Sequence, residues 1–106
     1  MKNLTYVLGS QKEADDMFEV TIEGFVNAGK SDEILKVIRK NRIIVYRDKN
    51  NDIGCYEFID GSIKHNVYGR NFEYVALSSN VGFEIQRYIK SGRYKDIVYI
   101  KLREEE

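Results

Sequence analysis

The sequence predicts an α+β fold: a mainly antiparallel sheet of about six to seven strands with two helices packed on one face. Three observations support this prediction. Short runs rich in β-branched and aromatic residues recur along the chain, turn residues separate these runs, and two segments combine a helix cap with an apolar helical face. The chain has 106 residues and is 42% hydrophobic, which predicts a single domain over residues 1–106.

Alternating apolar and polar residues predict most of the strands. The predicted strands are residues 3–8, 17–28, 42–47, 53–59, 62–68, 72–77 and 96–103. Asp60-Gly61 is a hairpin signal and predicts that residues 53–59 and 62–68 pair as antiparallel neighbours.

Residues 10–28 allow two interpretations. Ser10 and Glu13 have the spacing of a capping box, which predicts a short helical turn over residues 10–16. Apolar or small residues then fall at every second position of residues 17–28, and this favours a strand. The alternative is a helix continuing to residue 28, which would hold Gly24 in its interior at a cost of about 1 kcal/mol.

Two helices are predicted with more support. Ser31 followed by Asp32 and Glu33 is a typical helix start, and the first helix extends over residues 31–40. The second begins after Ser79 or Asn80 and ends before Gly92.

Charge limits the classes of partner. Seventeen basic and seventeen acidic residues cancel, so the chain lacks the net positive charge typical of a nucleic-acid-binding domain. The charge is segregated, however: residues 13–23 carry acids alone, whereas residues 36–49 and 64–103 are mainly basic. A charged face is therefore expected even though long-range steering toward one partner is weak.

Three sequence features bear on the cellular location of the protein. It has no apolar run near the roughly 18 residues of a membrane span, and residues 1–16 lack the features of a signal peptide. Cys55 is the single cysteine, so no internal disulfide forms. We expect a cytoplasmic protein with no membrane partner.

One formal motif is present. Gly24, Gly29, Lys30 and Ser31 match the phosphate-loop pattern G-x-x-x-x-G-K-[ST], in which backbone N–H groups wrap phosphates and a lysine binds the outer ones. The antiparallel fold predicted here is the wrong context for that loop. A turn followed by a helix cap is therefore the favoured interpretation, and no cofactor is predicted.

Other catalytic and metal patterns are incomplete. Asp48, Asn50 and Asp52 have the first spacings of a calcium loop but lack its glycine and final glutamate, which indicates a plain turn. Cys55 and His65 are the only cysteine and histidine, and the predicted hairpin places them on opposite faces. No catalytic residue and no metal site are predicted, so the chain is not expected to be an enzyme.

A diffuse surface is the remaining candidate site. Basic and aromatic residues alternate around Gly69 and around the end of the second helix, as they do in nucleotide-stacking and protein-binding surfaces. With two residues from the acidic stretch, the candidate interaction surface is Lys64, His65, Tyr68, Arg70, Arg87, Lys90, Arg93, Tyr94, Lys95, Glu19 and Glu23. A solvated surface around core tyrosines is the competing interpretation.

These observations predict a small non-enzymatic interaction module that binds a protein partner. A regulator or inhibitor encoded by a phage or mobile element is the most concrete version, suggested by a composition rich in Lys, Ile, Asn and Tyr. One alternative is nucleotide or nucleic-acid binding through the basic and aromatic residues; another is nucleotide binding by the phosphate loop. A homodimer formed through an edge strand is compatible with each.

Overall fold

A computed structural model describes residues 1–101 as one six-stranded sheet with two helices. The strands are β1 (Lys2–Leu8), β2 (Ile34–Ile38), β3 (Ile43–Arg47), β4 (Ile53–Asp60), β5 (Tyr74–Ser78) and β6 (Asp96–Ile100). The helices are α1 (Gln11–Asn27) and α2 (Phe83–Ser91), and short 3-10 helices occupy Ser31–Glu33 and Lys64–Asn66. Neither described helix has the length and apolarity needed to cross a bilayer.

The sheet is mixed, in the order β2-β3-β4-β1-β5-β6. Strands β4, β1, β5 and β6 are parallel, whereas β2, β3 and β4 form an antiparallel meander. The α+β class is confirmed, but the prediction of a mainly antiparallel sheet is wrong. The error comes from interpreting Asp60-Gly61 as a hairpin turn. In the structure no hairpin forms there, and the Gly61 N–H donates to the carbonyl of Leu8 at the end of β1 at 2.7 Å. The chain then crosses β1 to reach β5.

The two helices lie on opposite faces of the sheet, not on one face as predicted. Val7 and Leu8 are successive residues of β1 and therefore point to opposite sides. Leu8 packs in a cluster with Phe18 of α1, while Val7 packs in a second cluster with Ile85 of α2. After β1 the chain passes through α1 toward one edge of the sheet, and after β5 it passes through α2 toward the other edge. Because such connections are right-handed, the opposite directions place the two helices on opposite faces.

Residues 17–28 form a helix, so the predicted strand is wrong. Ser10 caps α1 by accepting a hydrogen bond from the Glu13 N–H at 3.1 Å, as its capping-box spacing indicated. Phe18 is buried against the sheet, and Val20 is 58% exposed on the outer side of the helix. The alternating pattern misled because Val20 and Val26 are exposed apolar residues that α1 does not use for packing.

Residues 31–40 form no α-helix, so the first of the two predicted helices is wrong. Ser31–Glu33 is a single 3-10 turn, and β2 then pairs with β3. Ile34 and Val37, two of the apolar residues that suggested a helical face, instead pack from strand β2 against the cluster beneath α1.

The remaining boundaries differ in detail. The strands predicted near β1, β3, β4 and β5 are confirmed, whereas residues 62–68 contain the 3-10 turn Lys64–Asn66 instead of a strand. The N-cap of α2 is Gly82, not Ser79 or Asn80, and Gly92 ends the helix in an extended conformation. The strand predicted over residues 96–103 is confirmed as far as Ile100, and its last two residues lie outside the described part of the chain.

Candidate functional site

One half of the sheet has a face that no described helix covers. Helix α2 packs over β1 and β5 and leaves the same face of β2, β3 and most of β4 uncovered. Strand registers Ile43 with Glu57 and Val45 with Cys55 place these side chains on the side of Ile59, which is the α2 side. We call this surface the open sheet face; its apolar members are Ile38, Ile43, Val45, Ile53 and Cys55.

These apolar side chains are partly exposed. All five are intermediate in burial, and none belongs to either hydrophobic core. On the opposite face of the same strands, Ile44 and Phe58 are fully buried beneath α1. The meander therefore buries Ile44 and Phe58 on one side and leaves an aliphatic surface half-covered on the other.

A groove of about 760 Å³ continues the open sheet face toward β1. Its floor includes Thr5, Ile43 and Cys55, and two loops, residues 70–73 and 93–95, form its rim. These loops precede β5 and β6, so the rim lies at the amino ends of the parallel strands. The fold thereby brings two segments that are distant in sequence, Arg70 and Arg93–Lys95, to one site.

Arg70 forms a wall of the groove. Its guanidinium donates to the Glu57 carboxylate on β4 and stands 5.4 Å from the centre of the Phe72 ring. The same residue also lines a second cavity of about 340 Å³, which contains Asp60 and His65. Because this ion pair is only partly exposed, it fixes the Arg70 side chain between the two cavities.

The border of the open sheet face is basic. Lys36 and Arg47 project from β2 and β3 onto it, and Arg93 stands at the groove rim. Within residues 1–101 none of the three forms an ion pair or a side-chain hydrogen bond. An apolar centre bordered by bases that are not neutralised by described neighbours suits an acidic partner surface.

Cys55 is not arranged as a nucleophile. Burial and the nearby Glu57 carboxylate raise the pKa of its thiol, which keeps it protonated at neutral pH. Cys55 lines the groove and His65 the second cavity, although the predicted hairpin that was to place them on opposite faces does not form. Among residues 1–101 no group of three His, Cys, Asp or Glu side chains has the arrangement of a metal site.

The structure brings together only part of the predicted interaction surface. Arg70, Arg93, Tyr94 and Lys95 meet at the groove. The other basic and aromatic members lie around α2 and the 3-10 turn before β5: Lys64, His65, Tyr68, Arg87 and Lys90. Glu19 and Glu23 are on α1, across the sheet.

The residues around α2 are held by contacts with one another. Tyr68 packs against Tyr88 with ring centres 4.4 Å apart, and Lys64 forms an ion pair with Glu84 at 3.2 Å. The hydrogen bond and charge of Lys64 lower the pKa of Glu84. Arg87 stands 5.7 Å from the Phe83 ring centre. These contacts hold the side chains of this surface in place.

The phosphate-loop motif lies in an unsuitable backbone. Gly24 is inside α1, Gly29 has φ of 70° just beyond it, and Ser31 begins a 3-10 turn. The N–H groups of Gly29 and Lys30 donate to carbonyls of α1 at 3.0 and 2.8 Å. Because these donors are occupied, they are not free to wrap a phosphate.

The turn of residues 48–52 has the role that its composition predicts. The Asp48 carboxylate accepts hydrogen bonds from the N–H groups of Asn50 at 2.9 Å and Asp52 at 3.0 Å. The same oxygen receives both bonds, which closes the turn between β3 and β4.

Sequence reasoning missed the aliphatic members of the site. Ile43, Val45 and Ile53 were attributed to strands and Ile38 to the apolar face of the predicted first helix, since an apolar residue in either element usually indicates a core. Their exposure depends on where α2 crosses the sheet, and no local pattern carries that information. No protein-family model, curated protein or solved structure matches the chain.

Proposed function

We propose that the chain is a small non-enzymatic module that binds a protein partner through the open sheet face. The observation that carries this proposal is the row of half-buried aliphatic side chains on β2, β3 and β4, outside both cores. Contiguous apolar surface of this kind is uncommon in proteins that act alone and is typical of interaction sites.

The chemistry of the face favours a protein over a nucleic acid. Its centre is aliphatic, with Ile43 and Val45 on the same face of β3, whereas base stacking requires aromatic rings. The bases Lys36, Arg47 and Arg93 lie at its border. An interface with an apolar centre and a charged rim is typical of protein complexes, and here the rim calls for carboxylates on the partner.

The biological setting is part of the same proposal. A regulator or inhibitor that occupies a surface of a larger protein needs only one such face, and the chain supplies one. A cytoplasmic setting is supported by the lone cysteine, and a phage or mobile-element origin by the residue usage.

A pull-down with matched variants tests the proposal. Tagged protein is incubated with bacterial lysate in nuclease-treated and untreated halves, and bound protein and nucleic acid are identified. The wild type is compared with Val45→Glu on the open sheet face and Val20→Glu on the exposed side of α1. Both variants introduce the same charge, and their circular dichroism spectra and melting temperatures establish that they are folded.

The expected result is one protein recovered stoichiometrically from both halves by wild type and Val20→Glu, and lost with Val45→Glu. Arg93→Glu should weaken the complex, whereas charge reversal of Glu19 and Glu23 should leave it intact because they lie across the sheet. Retention by Val45→Glu contradicts the proposal. Recovery of nucleic acid alone, from untreated lysate only, replaces it with the nucleic-acid alternative.

A further inference from the structure

An aromatic pocket of about 480 Å³ lies on the α1 side of the sheet, at the carboxyl end of that helix. Tyr6, Tyr46 and Tyr56 enter it from three strands, and Phe25 enters from α1. The Tyr46 and Tyr56 rings are nearly parallel, with centres 4.7 Å apart, and Phe25 is tilted 5.8 Å from Tyr46. All four side chains are only partly buried and line the pocket.

The two acidic side chains that line the pocket form no ion pair with residues 1–101. Glu33 is half-buried, lines the pocket and forms no side-chain hydrogen bond or ion pair with residues 1–101. Asp48, in the turn after β3, also lines the pocket. One of its carboxylate oxygens, Oδ1, accepts the hydrogen bonds that close this turn. The carbonyl end of α1 adds partial negative charge. The base that lines the pocket, Lys30, has an exposed side chain.

Gly24 keeps the pocket open. It stands inside α1, where glycine weakens a helix relative to alanine. A Cβ built on Gly24 meets no atom within 4 Å, so packing gives no reason for a glycine there. The space beside it belongs to the pocket, and a larger side chain would enter that space.

We propose that this pocket binds a small organic cation of the quaternary or methylated ammonium class. The faces of tyrosine and phenylalanine rings attract such cations through the ring quadrupole, and methyl groups pack on the rings without needing hydrogen bonds. Glu33 balances the charge, with Asp48 as a second carboxylate. The occupant is distinct from the protein partner of the open sheet face, which lies on the other side of the sheet.

Titration with tetramethylammonium chloride, followed by nuclear magnetic resonance of backbone amides and aromatic rings, tests the proposal. Sodium chloride holds the ionic strength constant, and tert-butanol serves as an uncharged molecule of similar shape. The expected result is a saturable shift of Tyr46, Tyr56 and Phe25 resonances with the cation and little response to tert-butanol. No saturable shift, or an equal response to the alcohol, overturns the proposal.

Variants then separate the contribution of the aromatic ring to binding from that of the acidic charge. Tyr46→Phe keeps the ring and should bind, whereas Tyr46→Leu removes it and should weaken binding about tenfold. Glu33→Gln should weaken binding by about threefold to tenfold through loss of charge. Glu23→Gln is the matched control, because Glu23 is exposed on α1 and does not line the pocket. If Tyr46→Leu disturbs the spectrum globally, Glu33→Gln decides: unchanged affinity in that variant contradicts the assignment.

Discussion

Tyr46 lies directly against the backbone of Gly54 on the neighbouring strand. The two residues are register partners on β3 and β4, and a Cβ built on Gly54 would stand 2.3 Å from Oη of the Tyr46 ring. No side chain fits there while Tyr46 stays in place. Gly54 is therefore required by this contact, and the contact in turn orients a wall of the aromatic pocket.

Gly54→Ala should destabilise the protein by about 1–3 kcal/mol, the usual range for overpacking a filled site. The Tyr46 ring must move, and with it the stacking on Tyr56 at 4.7 Å. Urea unfolding followed by circular dichroism measures the free energy of unfolding. An unchanged midpoint would mean that Tyr46 yields freely and that its packing contributes little.

Gly24→Ala should have the opposite sign. The added methyl group meets no atom within 4 Å, and alanine in place of glycine stabilises a helix interior by about 0.5–1 kcal/mol. The same urea experiment gives the comparison, with Gly54→Ala as the paired variant. A loss of stability would show that the α1 backbone near Gly24 departs from the helix described here.

Ser10→Ala should cost about 1 kcal/mol, within the usual range for removing a helix N-cap. The Ser10 hydroxyl accepts the Glu13 N–H, while the Glu13 carboxylate accepts the Gly9 N–H at 2.8 Å. Ser79→Ala is a suitable control because Ser79 is exposed and its hydroxyl caps no helix. Equal effects of the two substitutions on thermal unfolding would contradict the role of Ser10.

Stability should fall at high pH. Burial raises the pKa of Tyr6 and Tyr46 above the ordinary value of 10.0, and the hydrogen bond between Tyr46 and Tyr56 adds to the second shift. A raised pKa means that the folded state holds the proton more tightly. The stabilisation is thus complete below pH 10 and is lost as the pH rises through the folded-state values.

The absorbance of tyrosinate measures this directly. Tyr6 and Tyr46, two of the eight tyrosines, should ionise late and together with unfolding. Tyr46→Phe should remove one late-titrating group. Titration of all tyrosines in a single early step, with the far-ultraviolet dichroism intact, would contradict the packing described for the pocket.

Magnesium with ATP or GTP should leave the melting temperature unchanged. The N–H groups of Gly29 and Lys30 are already bonded to α1, so these two amides are not available to bind phosphates. Lys30→Ala should behave like the wild type in the same assay. A rise of several degrees with nucleotide, abolished by Lys30→Ala, would restore the phosphate-loop hypothesis.

The sequence predicted the elements whose signals are local. Strands β1, β3 and β4 were recognised because their β-branched residues and flanking turns agree, and the capping box gave the start of α1. It failed where tertiary packing decides. Ile34 and Val37 suit a helical face or a strand equally, and their pairing with β3 settles the matter.

The candidate sites were harder to predict than the fold. Arg70, Arg93 and Lys95 were predicted as members of one diffuse interaction surface, in two groups distant in sequence. The groove that unites them depends on parallel strands that the sequence did not indicate. The aromatic pocket unites Tyr6, Tyr46 and Phe25 from separate elements. Which residues become neighbours depends on the order of the strands in the sheet. That order depends on the connection at Gly61, where the hairpin signal was misleading.

The position of β1 also bears on the order of folding events. Thr5 pairs with Glu57 on one side and with Val75 on the other, so both neighbours of the central strand come from far along the chain. Closing such long loops is entropically slow, whereas the β2–β3 hairpin closes a short one. Pulse-labelling hydrogen exchange should therefore protect the β3 amides before those of β1. The middle of the sheet is completed last, once its distant neighbours have met.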